Sequence, residues 1–141
     1  MLLTDEQKQK IREEYEQWFD KQYADKTLEE RQELGQFFTP PELTIKMLEK
    51  FSNLNDFIAD PCAGSGNLLA AAIIAGADPQ KVYYNEYDPD IFEIGKKRLM
   101  DMGVPEKHFV CSDALQPTFW DLLRKDGAIE KPKLTQLFGK I

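Results

Sequence analysis

The chain has 141 residues, 42% hydrophobic and 30% charged, with 18 Lys and Arg against 25 Asp and Glu for a net charge of −7. This is the size and balance of one globular domain. It excludes a bilayer-spanning run of ~20 apolar residues, and it argues against a domain that grips nucleic acid by general electrostatics, which needs clustered Lys and Arg.

Thr4-Asp5-Glu6-Gln7 forms a capping box, and behind it Ile11, Tyr15, Trp18, Phe19 and Tyr23 fall on one helical face, the pattern of a core-facing stripe. Met1 to Asp5 has neither a basic flank nor a long apolar core, so no signal peptide and a cytoplasmic location are expected. Thr27-Leu28-Glu29-Glu30 starts a second helix that Gly35 is placed to end. Residues 1–34 therefore read as a helical lead-in, and 35–141 as the main domain. In Gly35-Gln36-Phe37-Phe38-Thr39-Pro40-Pro41-Glu42, Thr39 is expected to cap a helix, with Pro40 at its first position and Glu42 completing the box. Leu43, Met47, Leu48 and Phe51 are expected to face inward.

From Phe57 the pattern alternates. Phe57 to Ala59 reads as a buried strand, residues 67 to 75 as an apolar helix that Gly76 ends, and Lys81 to Asn85 as a second strand. Asp88-Pro89 opens a helix with Ile91, Ile94 and Leu99 inward, His108 to Cys111 is a third strand, and Phe119 to Leu123 begins another helix. Three strand–helix alternations imply an α/β fold with a mostly parallel sheet and crossover helices. Cys62 and Cys111 lack ligand spacing and read as reduced thiols. His108, the single histidine, has no companion ligands in the sequence, so no metal site is expected. Trp18 and Trp120 read as packing residues.

Ligands of open parallel sheets bind beyond the carboxyl ends of the strands. Asp60, Glu86 and Asp113 stand at those ends, 26 and 27 residues apart, one per strand–helix unit. Between Asp60 and the next helix lies Pro61-Cys62-Ala63-Gly64-Ser65-Gly66. Gly64 and Gly66 permit a sharp turn and close approach by a ligand. A dinucleotide site would carry a third glycine where Leu69 stands, and Asp60 would repel a pyrophosphate but suit an ammonium group. A nicotinamide-dependent oxidoreductase is thereby disfavoured. Glu86 can accept from a ribose diol, Tyr87 can pack on adenine, and Asp113 can accept from an exocyclic amine. Taken singly, the glycines also suit a plain tight turn, Glu86 a solvated acidic turn, and Asp113 a helix cap.

Together these segments resemble the adenine-N6 DNA methyltransferases that use S-adenosylmethionine, in particular the modification subunits of restriction systems. The resemblance rests on GQFFTPP at Gly35 to Pro41, DPCAGSGNLL at Asp60 to Leu69, YNEYDP at Tyr84 to Pro89 and SDAL at Ser112 to Leu115, in the family's order. It implies a Rossmann-like methyltransferase fold. Phe38, Thr39 and Pro40 would border the methionine end of the cofactor. Asp60, Ala63, Gly64 and Gly66 would line its amino-acid part, Glu86 would hold the ribose with Tyr87 against the adenine, and Asp113 would accept from the adenine amine with Leu115 nearby.

The family's catalytic tetrapeptide, Asn or Asp followed by Pro-Pro and an aromatic, does not occur in the sequence. The stretch Lys133 to Ile141 reads as a short fourth strand ending where it should start, with Lys140, which cannot accept a hydrogen bond, in place of the acid or amide. The resemblance thus implies a truncated domain that binds S-adenosylmethionine or S-adenosylhomocysteine, with DNA as substrate only if a partner or missing domain supplies the rest. The alternative is a non-catalytic interaction protein that forms a homodimer or pairs with a methyltransferase partner.

Overall fold

In a computed structural model, residues 1–129 are described, and the expected fourth strand at 133–141 lies outside them. Helix α1 (Asp5–Gln22) begins at Thr4, whose hydroxyl accepts from the Gln7 N–H while the Gln7 side chain accepts from the Thr4 N–H. Helix α2 (Leu28–Phe37) repeats the device with Thr27 and Glu30, and those bonds hold the Glu30 carboxylate below its ordinary pKa. Gly35 does not end α2, which runs through it to Phe37; a φ in the helical range lets any residue continue.

Helix α3 (Pro41–Glu49) starts one residue later than its sequence suggests: Pro40 is the cap and Pro41 the proline in the first turn. Thr39 makes no cap hydrogen bond, and Glu42 closes no box, pairing instead with Arg12 of α1 through Nε at 2.5 Å and Nη2 at 3.2 Å. Thr44, Ile45 and Leu48 face the core, whereas Leu43 and Met47 are 49% and 40% exposed. Two adjacent prolines both satisfy the rule for a first helical position, so sequence alone left the phase of this short helix open.

Strands β1 (Ile58–Asp60), β2 (Val82–Asn85) and β3 (Phe109–Val110) form a parallel sheet in that order, with Asp60 beside Tyr84 and Asn85 beside Val110. Helices α4 (Asn67–Ile74) and α5 (Pro89–Asp101) make the crossovers, and α6 (Thr118–Lys125) follows β3. The pleat sends alternate residues to opposite faces. Ile58, Val82, Tyr84 and Phe109 join one core with Leu3 and Ile11 of the amino-terminal region, Ile45, Leu48, Leu69 and Leu99. Tyr83 packs on the other face with Phe119 and Leu123 of α6, where Phe57 and Val110 are partly covered. Ala59, expected to be buried, is exposed because α6 covers that face over β2 and β3 but leaves the β1 edge open. Ile91 and Ile94 are only partly buried, and α5 instead buries Gly95, Arg98 and Leu99. No helix among the described residues is long and apolar enough to cross a membrane.

Candidate cofactor cleft

All three acidic strand-end residues lie beyond the same end of the sheet, since their strands run parallel. Asp60 closes β1, and its Oδ1 accepts from the Cys62 N–H at 3.0 Å, which bends the chain into the glycine turn. The turn closes through the Gly66 N–H on the Ala63 carbonyl at 2.8 Å. Gly64 and Gly66 take φ of +55° and +85°, the left-handed region that favours glycine. A Cβ on Gly66 would also press Leu99 Cδ1 at 3.1 Å, while one on Gly64 would meet no protein atom within 4 Å.

The turn is fixed from behind by β2. The Asn85 carbonyl accepts from the Ala63 N–H at 2.9 Å. Glu86 Oε1 accepts from the Gly64 N–H and Oε2 from the Asp88 N–H, both at 2.9 Å. The Tyr84 hydroxyl donates to the Gly64 carbonyl at 2.5 Å. Burial pushes that hydroxyl's pKa up, and the carboxylates of Glu86 and Asp60 add to it, so it stays a donor. This approach requires Gly95 on α5, because a Cβ there would lie 2.2 Å from the Tyr84 hydroxyl oxygen and 2.8 Å from the Gly64 carbonyl. Asn85, fully buried, donates to the carbonyls of Pro61 at 2.9 Å and Ser112 at 3.0 Å and accepts from the Ser112 hydroxyl at 2.7 Å, tying the three strand ends together.

In front of the turn is a cleft of about 480 Å³ lined by Phe38, Thr39, Asp60, Ala63 and Gly64 among the residues the sequence singled out. Among the described residues Asp60 is the charged group in this wall. Burial raises its carboxyl pKa; the Cys62 N–H works in the opposite direction, and neighbouring Glu86 adds to the rise. Phe38 is set by an aromatic cluster with Trp18, Phe19 and Tyr23, ring centres 5.8 to 6.1 Å away.

Pro40, Gly66, Glu86, Tyr87, Asp113 and Leu115 do not form this wall. Gly66 caps α4 and Glu86 acts through Gly64. Tyr87 and Leu115 are 73% and 92% exposed. Asp113 Oδ1 accepts from the Leu115 N–H at 2.9 Å, a local turn. Sequence reasoning missed Met47, Cys62, Ser65, Asn67, Leu68 and Ile91, which complete the wall. Met47 had a signal, being apolar one helical turn from Leu43 directly after the Thr-Pro-Pro segment. His108, buried, stacks on Tyr83 at 3.9 Å and bonds the Val82 carbonyl through Nδ1, a packing role.

A parallel sheet with a glycine turn after β1, an acid after β2 and a cleft at the strand ends is the arrangement of a partial Rossmann-like methyltransferase fold. Residues 6–100, more than half of the chain, match the N-6 DNA Methylase family, and the chain belongs to that family. It is 31% identical over 90 residues to the Type II methyltransferase M.VspI of Vibrio sp. (strain 343), an alignment that takes in 60% of this chain and 22% of that relative. The matched part of the chain thus spans less than a quarter of that protein's length. Comparison with solved structures finds no significant match.

Proposed function

We propose that this chain is a cofactor-binding part of an adenine-N6 DNA methyltransferase, that its cleft takes S-adenosylmethionine, and that these 141 residues alone do not transfer a methyl group to DNA. The observation that carries the reading is the partly buried carboxylate of Asp60 as the charged group of a cleft whose other described lining residues are neutral and include Gly64. A carboxylate whose charged form is destabilised by burial gains most from a cationic ligand, and the amino-acid end of S-adenosylmethionine carries an ammonium group. The open space at the position of a Gly64 Cβ gives that end room against the backbone.

Bound S-adenosylmethionine supplies a methyl group on a positively charged sulfur. Asp60 would accept from its ammonium, with Ala63, Gly64 and Gly66 shaping the turn beneath. Phe38 and Thr39 would border the methionine end, and Pro40 stiffens their attachment to α3. Each Glu86 oxygen already accepts one backbone N–H, and a carboxylate oxygen has two acceptor sites, so one site per oxygen remains for a ribose diol. Tyr87 and Leu115 would cover the adenine, and Asp113 would accept from its amine.

Methyl transfer to a base also needs a group that holds the flipped target amine. The sequence holds no Asp- or Asn-Pro-Pro-aromatic segment to do so, and a net charge of −7 gives little hold on a phosphate backbone. Those groups come from a partner chain or further domain in an active enzyme. Calorimetric titration with S-adenosylmethionine should show saturable binding that Asp60→Ala and Glu86→Ala abolish. Absence of heat at millimolar cofactor would remove the proposal. Turnover on unmethylated duplex DNA by the chain alone would refute its second half.

A further inference from the structure

Thr39 and Asn67 line the cleft on one side and, on the other, a void of about 10 Å³ that they share with Glu14 and Arg98. They form the partition between the ligand space and a buried polar network. Arg98 of α5 is 3% exposed in its side chain. Its guanidinium donates to both carboxylate oxygens of Glu14 on α1, through Nε at 3.1 Å and through Nη2. Nη1 donates to the Asn67 side-chain oxygen at 2.5 Å and to the Ser65 carbonyl at 3.1 Å. The Trp18 ring lies 4.1 Å from the guanidinium carbon.

Arginine has no acceptor, so Asn67 must turn its oxygen to Arg98 and its amino group away. That amino group donates to the Thr39 carbonyl at 2.8 Å. The guanidinium therefore fixes the glycine turn directly, at Ser65, and the Thr39 segment at one remove, through a single amide orientation. The two segments are 26 residues apart in sequence at Thr39 and Ser65, yet both line one cleft.

We propose that Arg98 is a positioning residue for the cofactor cleft: with Asn67 it sets the separation of the Thr39 segment from the glycine turn, and Glu14 makes helix α1 a working part of the site. The inference rests on the reading of the cleft as an S-adenosylmethionine site. Its signature is selectivity for one end of the ligand. On that reading the amino-acid end lies against these two segments beside Asp60, whereas the adenosine end lies toward Glu86 and Tyr87. Loosening the partition weakens S-adenosylmethionine and spares 5′-methylthioadenosine, which lacks the amino-acid part.

The test is calorimetry of the full chain with both compounds, together with thermal unfolding. Asn67→Ala removes the bonds to Thr39 and to Arg98 Nη1 and leaves the Arg98–Glu14 pair and the Ser65 bond. It should weaken S-adenosylmethionine about tenfold, the scale of one lost buried hydrogen bond, and change 5′-methylthioadenosine less than twofold. The double variant Arg98→Met with Glu14→Gln avoids a stranded charge and should show the same selective loss. Equal loss of both ligands, or no loss of either in folded Asn67→Ala, overturns the positioning role. If wild-type chain binds 5′-methylthioadenosine but not S-adenosylmethionine, or neither, the cleft reading itself fails and takes this one with it.

Discussion

The two ends of the candidate site are built by opposite means. The glycine turn is held from behind by Tyr84, Glu86, Asn85 and Arg98, each itself buried or packed between elements far apart in sequence. The rim at Tyr87 and at Asp113 to Leu115 is held mostly by local bonds, Asp88 to Glu86, Leu115 to Asp113 and Trp120 to Ala114, with a long contact from the Cys111 thiol to the Tyr87 carbonyl and its large side chains in solvent. At the first end structure and binding share the same atoms, so a mutation there costs both. At the second end a side chain can be lost with little consequence for the fold.

Gly95→Ala should give the largest effect. The new methyl would overlap the Tyr84 hydroxyl and the Gly64 carbonyl, and overpacking of a closed site costs about 3 kcal/mol. Denaturant unfolding should show this loss, while Gly35→Ala, with no atom within 4 Å of its Cβ, should hold or gain stability because it sits inside α2. Tyr84→Phe separates the hydroxyl from the ring: losing its bond to Gly64 should cost about 1 kcal/mol. Equal stability of Gly95→Ala and wild type would mean that the turn is not clamped as described.

The same contrast explains what the sequence revealed. Capping at Thr4, Thr27 and Asp88 was legible because each uses residues within three positions. The acids were legible because a parallel sheet places one strand end after another at regular intervals. Arg98 was not legible: a lysine- and arginine-rich helix reads as a solvated face, and its counter-charge Glu14 is 84 positions away on a helix that looked like a lead-in. Asn85 had a local signal, a lone amide ending the apolar run Val82-Tyr83-Tyr84, but its partners Pro61 and Ser112 are known only once the strands are aligned. The open rim, by contrast, was identified by the family's motifs although nothing in its geometry converges on the cleft.

Asp60 sharpens the comparison through pH. Burial raises its folded-state pKa, so the folded chain keeps a proton that the unfolded chain releases near pH ~3.9. This group's contribution to stability is fully present below that unfolded value and is lost as pH rises through the folded value. An ammonium ligand acts in the opposite sense, since it pairs only with the charged form. Affinity for S-adenosylmethionine should therefore rise across the same window and level off above it. Asp60→Asn should remove both slopes, unfold no more readily than wild type at neutral pH, and bind S-adenosylmethionine at least about tenfold more weakly, the value of one charge-assisted hydrogen bond. A pH profile of affinity that is unchanged in Asp60→Asn would place the ammonium elsewhere.

Tyr87→Ala and Leu115→Ala should give the smallest changes in stability, within ~0.5 kcal/mol of wild type, because both side chains are already in water. Their effect on binding is the informative quantity. If the rim folds over the adenine of a bound cofactor, each substitution weakens S-adenosylmethionine and 5′-methylthioadenosine alike, by a few-fold, since both carry the adenine; stacking on an aromatic ring is worth about 1 kcal/mol. This is the converse of the pattern expected at Asn67, where only the ligand with an amino-acid end suffers. Loss confined to S-adenosylmethionine in the rim variants would mean that the ligand lies the other way round in the cleft, with its cationic end toward Glu86.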